Sequence, residues 1–145
     1  MLALLLATAI SAHADASFTV AAAPAQVITW LQANRDSVMA CGHCHVLGRA
    51  GNRVYVSRDG TTIVLAESAD IRTNWASYCT TLAGDTRKLR SWRMTSVVGA
   101  GPGGTRVVVR VNASLYGLGE ATLQREIDRS LRQFERMLQT VFGRR

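Results

Sequence analysis

Motifs that commit a chain to one particular reaction are missing from this sequence. It has no nucleophile elbow, P-loop, dinucleotide fingerprint or HExxH zinc motif. Carboxylates are few, and none form a suggestive pair: Glu67 and Asp70 are close in sequence but fall in a predicted loop. We therefore assign no catalytic residue, no metal site and no resident cofactor, and the sequence favours binding over catalysis.

Lysine is almost absent from the sequence. Beyond the apolar run near the N-terminus, no run of apolar residues approaches membrane-spanning length. Lys88 is the sole lysine, so the net charge of +7 comes almost entirely from arginine. The arginines are scattered along the chain, which favours a solvated surface over a dedicated basic patch. Contact with an anionic membrane surface or envelope polymer is left open, whereas the export predicted below argues against nucleic acid.

The N-terminus has the pattern of a secretory signal peptide. In MLALLLATAISAHADA, residues 1–16, the apolar run Leu2 to Ile10 is too short to span a bilayer. Two A-x-A sites follow, at 12–14 and 14–16, although no basic residue precedes the apolar run. We predict cleavage in this region, one mature domain over 17–145, and a periplasmic or secreted location; a buried N-terminal helix is the alternative.

Hydrophobic periodicity predicts a helix, several strands and a long final helix. Pro24 suits the first position of a helix that runs toward Asn34. Asp59-Gly60 is typical of a hairpin turn between two strands. The remaining predictions are a short first strand at 17–20, a loop at 48–52, strands at 90–98 and 105–116 around a turn at 99–104, and a helix from Glu120 to Phe142.

The final helix is strongly amphipathic and must bury its single apolar stripe. Leu123, Ile127 and Leu131 lie on that stripe, with arginines and carboxylates opposite. The strands offer one apolar face, as in TRVVVRV, where valines alternate with polar residues. These requirements predict an α+β fold in which a curved antiparallel sheet grips the long C-terminal helix.

This order of elements resembles the START-related superfamily, also called polyketide cyclase-like or SRPBCC. The resemblance rests on SFTVAAAPAQVITWL at 17–31, GTRVVVRV at 104–111 and the helix ending RQFERMLQTVF at 132–142. It covers essentially the whole mature chain. It implies a helix-grip fold, sheet structure through 61–83, and a hydrophobic cavity between sheet and helix that binds lipids or other apolar molecules.

The signal-peptide pattern, which is not a feature of that superfamily, and the resemblance together lead us to expect an exported, monomeric protein that binds a small apolar or amphipathic ligand. The cavity walls are expected on the inward faces of the strands and of the last helix. The residues chosen for that role are Trp92, Met94, Val107, Val109, Phe134 and Leu138.

The stretch CGHCH at 41–45 is not a feature of that superfamily and allows other functions. Covalent haem would use Cys41 and Cys44 for thioethers and His45 as the iron ligand, giving a c-type haem protein for electron transfer or haem sensing. The same cysteines with a histidine and Cys79 suit zinc, and the pair alone suits a thiol oxidoreductase. The favoured interpretation is a structural disulfide that joins Cys79 to Cys41 or Cys44.

Overall fold

The computed structural model of the chain describes residues 10–36, 44–58, 60–66, 74–83, 89–116 and 119–144. Within these residues lie seven β-strands and two α-helices. Their bounds are β1 Ile10–Val20, α1 Pro24–Ala33, β2 Cys44–Ala50, β3 Arg53–Arg58, β4 Thr61–Ala66, β5 Asn74–Ala83, β6 Leu89–Gly101, β7 Gly104–Leu115 and α2 Glu120–Phe142.

The strands form one antiparallel sheet in the order β1-β7-β6-β5-β4-β3-β2. Both helices pack on the same face of the sheet. Helix α2 contacts β1 and β7, and helix α1 contacts β5, β6 and β7. The α+β class and the grip of the sheet on the last helix are as the sequence predicts. The sheet also includes Asn74–Ala83, as the resemblance implies; residues 71–73 lie outside the described part.

Helix α1 has the start and end that its sequence predicts. Pro24 occupies the first helical position, where its missing N–H costs no hydrogen bond. The side chain of Gln26 accepts a hydrogen bond from the backbone N–H of Ala23, 3.0 Å away. At the other end the backbone N–H of Asn34 donates to the carbonyl oxygen of Trp30 at 3.0 Å. The helix therefore ends where the apolar periodicity ends.

Helix α2 runs from Glu120 to Phe142, the bounds that the sequence predicts. Its apolar stripe is buried against the sheet, and the buried residues are Leu123, Ile127, Leu131, Phe134 and Leu138. Gly143 ends the helix with φ +85°, and its N–H donates to the carbonyl of Gln139 at 2.8 Å. A positive φ at this position is what glycine accepts without strain.

Two predicted loops are shorter than expected. The sequence predicts a loop at 48–52, but residues through Ala50 belong to β2, which pairs with β3 around an irregularity between Val46 and Gly48. A glycine turn is predicted at 99–104, but β6 and β7 pair up to Gly101 and Gly104, so only Pro102 and Gly103 turn. In both places cross-strand hydrogen bonds extend strands through glycines that interrupt the hydrophobic pattern.

The first strand is longer than the sequence predicts. We expected extended structure at 17–20, whereas β1 begins at Ile10 and pairs with β7 along its whole length, from Ile10 opposite Leu115 to Val20 opposite Thr105. Residues 10–16, which also belong to the predicted signal peptide, are therefore part of the sheet in this chain. The inward positions 12, 14 and 16 are alanines, which are small and weakly apolar. Their alternation with polar residues therefore gives too weak a hydrophobic signal to predict a strand.

Candidate functional site

The contact layer between the sheet and α2 is formed by side chains from alternate strand positions. Along β7, Val107, Val109 and Val111 are fully buried, while Arg106 and Arg110 on the other face are exposed. This alternation follows from the pleat of the strand, which directs successive side chains to opposite faces. The inward face of β7 is therefore apolar.

Five of the six predicted cavity residues lie together in this interior. Met94, Val107, Val109, Phe134 and Leu138 are all at most 4% exposed and belong to one hydrophobic cluster. The backbone of Trp92 lies in β6 opposite Ala113, and its side chain lies outside the described part. That these residues touch a ligand stays a prediction.

Aromatic contacts fix the position of α2 over the first strand. The rings of Phe18 on β1 and Phe134 on α2 meet edge to face, with centroids 6.2 Å apart and planes at 69°. This geometry adds a favourable quadrupole term to the area that the rings bury. Phe134 therefore anchors the helix at the β1 side of the interior.

Two fully buried hydroxyls lie in this interior, and they differ in their partners. The hydroxyl of Thr105 donates to the carbonyl oxygen of Ala22 at 2.6 Å and so joins the start of β7 to the link between β1 and α1. The hydroxyl oxygen of Ser96 on β6 is completely buried and has no hydrogen-bond partner. Such an unmatched group costs about 1–3 kcal/mol relative to a hydrogen-bonded one.

Ser96 is the site residue that sequence reasoning missed. It lies between Met94 and Val98, two buried residues of the same strand, so all three share the inward face. The period-2 pattern of β6 would have placed Ser96 inside, but serine carries no apolar signal and passed for an interruption. Among the described residues, the buried polar side chains on the inward face are Ser96 and Thr105, so the interior offers a guest mainly apolar surface and hydroxyl groups.

A separate apolar groove of about 510 Å³ lies at the surface between α1 and the end of α2. It is lined by Ala25, Gln26, Thr29, Trp30, Ala33 and Phe142. Trp30 and Phe142 meet edge to face at 6.2 Å across its floor and join the two helices. The groove is thus a second apolar surface, outside the interior.

Of CGHCH, residues 41–43 lie outside the described part, as does the side chain of Cys44. His45 is exposed on β2, which is an edge strand. The side chain of Cys79 on β5 is likewise not described. Among the described residues no group of three or more histidine, cysteine, aspartate or glutamate side chains is placed to hold a metal ion. The haem, zinc and dithiol interpretations therefore remain predictions from the sequence.

The sheet order does exclude one of the disulfide pairings that the sequence allows. Cys44 and Cys79 lie on β2 and β5, with β3 and β4 between them. Strand spacing alone puts their Cα atoms about 14 Å apart. Cys44 is level with Thr61 at one end of β4, whereas Cys79 lies beyond Ala66 at the other end. A disulfide needs Cα atoms within about 7 Å, so a Cys44–Cys79 bridge does not fit.

Comparison with solved structures identifies the fold. No protein-family model matches the sequence, and no curated protein matches it. The structure is similar to XoxI from Bacillus cereus, with a TM-score of 0.63 and 13% identity over 90% of this chain and 95% of that one. It is also similar to a START superfamily protein from Mycobacterium smegmatis, with a TM-score of 0.56 and 13% identity over 92% and 96%.

A third similar structure is that of Ara h 8.0201, with a TM-score of 0.50 and 14% identity over 90% of this chain and 93% of that one. Identities this low establish a shared fold and nothing about a shared activity. The chain therefore shares with these structures the helix-grip fold, a curved antiparallel sheet around a long C-terminal helix. Among the described residues, neither helix is long and apolar enough to cross a bilayer.

Proposed function

We propose that this protein is an exported binding protein that holds a small amphipathic ligand, such as a lipid, between the sheet and α2. The helix-grip fold and the apolar inward faces of β6, β7 and α2 support a hydrophobic guest. The predicted contacts are the six residues named from the sequence, with Met94 and Phe134 on opposite sides of the interior. Transport or sequestration requires no catalytic group, and we assign none.

The unpartnered hydroxyl of Ser96 is the observation that carries the amphipathic character of the ligand. Its oxygen is completely buried among apolar side chains and has no hydrogen-bond partner. A ligand atom that donates or accepts a hydrogen bond there would remove a penalty of about 1–3 kcal/mol. A pure hydrocarbon would leave the penalty in place, so the proposed guest carries a polar atom that reaches β6.

Export and an envelope role rest on the sequence. The apolar run at 2–10 and the A-x-A sites after it support secretion to the periplasm or outside. A lipid-like cargo suits that location, because amphipathic molecules that leave a membrane need a carrier in water. The net charge of +7 would favour approach to anionic envelope surfaces without forming a specific site.

The test is native mass spectrometry of protein purified from its own host, with a matched pair of variants. Val109→Phe adds volume inside the grip, whereas Val108→Phe adds the same volume on the opposite face of the same strand, where the native side chain is half-buried. We expect a ligand adduct in the wild type and in Val108→Phe. We expect its loss in Val109→Phe, because the larger ring occupies the ligand's volume.

Two outcomes would contradict the proposal. An adduct retained equally by Val109→Phe would place the ligand elsewhere, for instance in the groove beside Trp30. Wild-type protein that is free of ligand and fails to bind fatty acids or lysolipids in titration would remove the function. Ser96→Ala refines the test: it should weaken a bound fatty acid about tenfold, which corresponds to about 1.4 kcal/mol.

A further inference from the structure

The outer face of the sheet, opposite the proposed ligand interior, carries a depression of about 350 Å³ in which most of the lining residues are polar. It lies where β1, β7 and β6 run side by side. Its lining residues are Ser11, Ala12, His13, Arg93, Asn112, Ala113 and Ser114. None of these residues is acidic, and four of them offer N–H or O–H donors close to an arginine.

The strand register places three of these donors in one row. His13 on β1 lies opposite Asn112 on β7, and Asn112 lies opposite Arg93 on β6. Side chains at paired positions on one face are about 5 Å apart, so an imidazole, a carboxamide and a guanidinium adjoin each other. All three are exposed, and their donor groups can converge on one bound group.

The adjacent row adds a buried hydroxyl with no partner. Ser114 lies opposite Ser11 and is only 8% exposed, and among the described residues its hydroxyl oxygen has no hydrogen-bond partner. Buried hydroxyls are nearly always paired, so an unmatched one that lines a depression indicates a missing partner. An oxygen atom of a bound group would accept a hydrogen bond from this hydroxyl.

The charges around the depression favour an anion. Asp15, the nearest acidic residue on this face of β1, lies 3.4 Å from the guanidinium of Arg110 and is offset by it. Among the described residues, Arg93 has no carboxylate partner. The guanidinium fork matches the oxygens of a phosphate group.

We propose that this depression, defined by His13, Arg93, Asn112 and Ser114, binds a phosphate group. Hydrogen-bond donors come from the row of His13, Asn112 and Arg93 and from the buried Ser114 in the adjacent row. This arrangement suits the several oxygens of a tetrahedral anion. The group belongs either to a free phosphate compound or to a phospholipid head group. The site is on the opposite side of the sheet from the proposed lipid interior and does not need a ligand there. It does require residues 11–13, so it forms in a chain that keeps the whole of β1 and is lost from a chain cleaved after Ala16.

The experiment is a titration of the full chain with inorganic phosphate in Bis-Tris chloride, followed by amide chemical shifts in NMR spectra. Saturable shifts are expected in β1, β6 and β7 around the depression. Arg93→Gln should weaken binding at least tenfold. Arg106→Gln is the matched control, since Arg106 is exposed on the same face beside Ser17 but does not line the depression; it should change affinity less than twofold.

Ser114→Ala separates binding from folding. It removes an unpartnered hydroxyl, so the free protein should melt no lower than the wild type while its phosphate affinity falls. A parallel titration with phosphatidylglycerol vesicles distinguishes the sources: a head-group site would give stronger binding to vesicles, again lost in Arg93→Gln. The inference is overturned if phosphate produces no saturable shift up to tens of millimolar, or if Arg93→Gln binds as well as the control.

Discussion

Glycine at position 104 lies where the start of β7 passes the end of β1. A Cβ atom there would overlap the carbonyl oxygen of Val20, which is backbone and cannot turn aside. The next residue, Thr105, holds the same junction through its hydrogen bond to Ala22. Gly104 thus lets β1 and β7 approach closely because it has no side chain, and Thr105 holds the same junction by donating a hydrogen bond.

We expect Gly104→Ala to destabilise the fold by about 1–3 kcal/mol, the range for overpacking a tight site. Gly99→Ala is the matched control, because Gly99 lies on β6 and a Cβ there meets no atom within 4 Å. Urea denaturation should show a lower midpoint for Gly104→Ala alone. Equal midpoints for the two variants would show that β7 shifts away from Val20 at little cost.

Cys44 and Cys79 should not be joined by a disulfide. The sheet order separates Cys44 from Cys79, so a Cys44–Cys79 peptide should be absent from a digest made without reduction. Mass spectrometry of that digest, with alkylation of free thiols, checks this. Recovery of the Cys44–Cys79 link would contradict the strand order.

A Soret band in the same purified sample, after expression with haem-maturation machinery, would instead support the haem interpretation.

At the scale of elements, α2 is the helix that holds the fold together, because its buried stripe faces β1 and β7. We expect Leu138→Ala to cost about 2–5 kcal/mol, since Leu138 is fully buried and its loss leaves a cavity. Gln133→Ala, on the exposed side of the same helix, should stay within about 0.5 kcal/mol. Thermal unfolding followed by circular dichroism measures both, and similar melting temperatures would mean that α2 is detached from the sheet.

The elements that could be predicted from the sequence are those whose signal is local. Helix α2 has a 23-residue amphipathic pattern and a C-terminal glycine, so both of its ends were predictable. Strand β2 was not, because Cys44–Ala50 contains a glycine and its register with β3 is irregular between Val46 and Gly48. Such an irregularity interrupts the alternation of inward and outward side chains by which a strand is recognised in a sequence.

The same distinction applies to the candidate site. The apolar walls were predictable, because Val107 and Val109 alternate with arginine and asparagine along β7. Ser96 and Ser114 were not, because a serine is buried or exposed according to its neighbours in three dimensions. The row of His13, Asn112 and Arg93 joins β1 to the hairpin of β6 and β7, which is distant from β1 in sequence, and only the register brings the row together.

At the scale of the whole molecule, the extent of β1 links folding to export. Cleavage after Ala16 would leave Ser17–Val20 of the strand and remove the pairs from Ile10 opposite Leu115 to Ala16 opposite Val109. Half of β7 would then be a new sheet edge with unpaired N–H and C=O groups, which promotes association between chains. It would also remove His13 and Ser11 from the proposed phosphate site.

We therefore expect a chain that begins at Ile10 to be more stable than one that begins at Ser17. The longer chain should melt several degrees higher and remain monomeric in gel filtration, because the β1–β7 hydrogen bonds and the burial of Ala12 are kept. Calorimetry and light scattering on the two purified chains measure this, and the mass of the protein purified from its host reveals which start it has. Equal stability of the two chains would show that residues 10–16 add nothing to the sheet, and the domain would then begin at Ser17 as the signal-peptide pattern predicts.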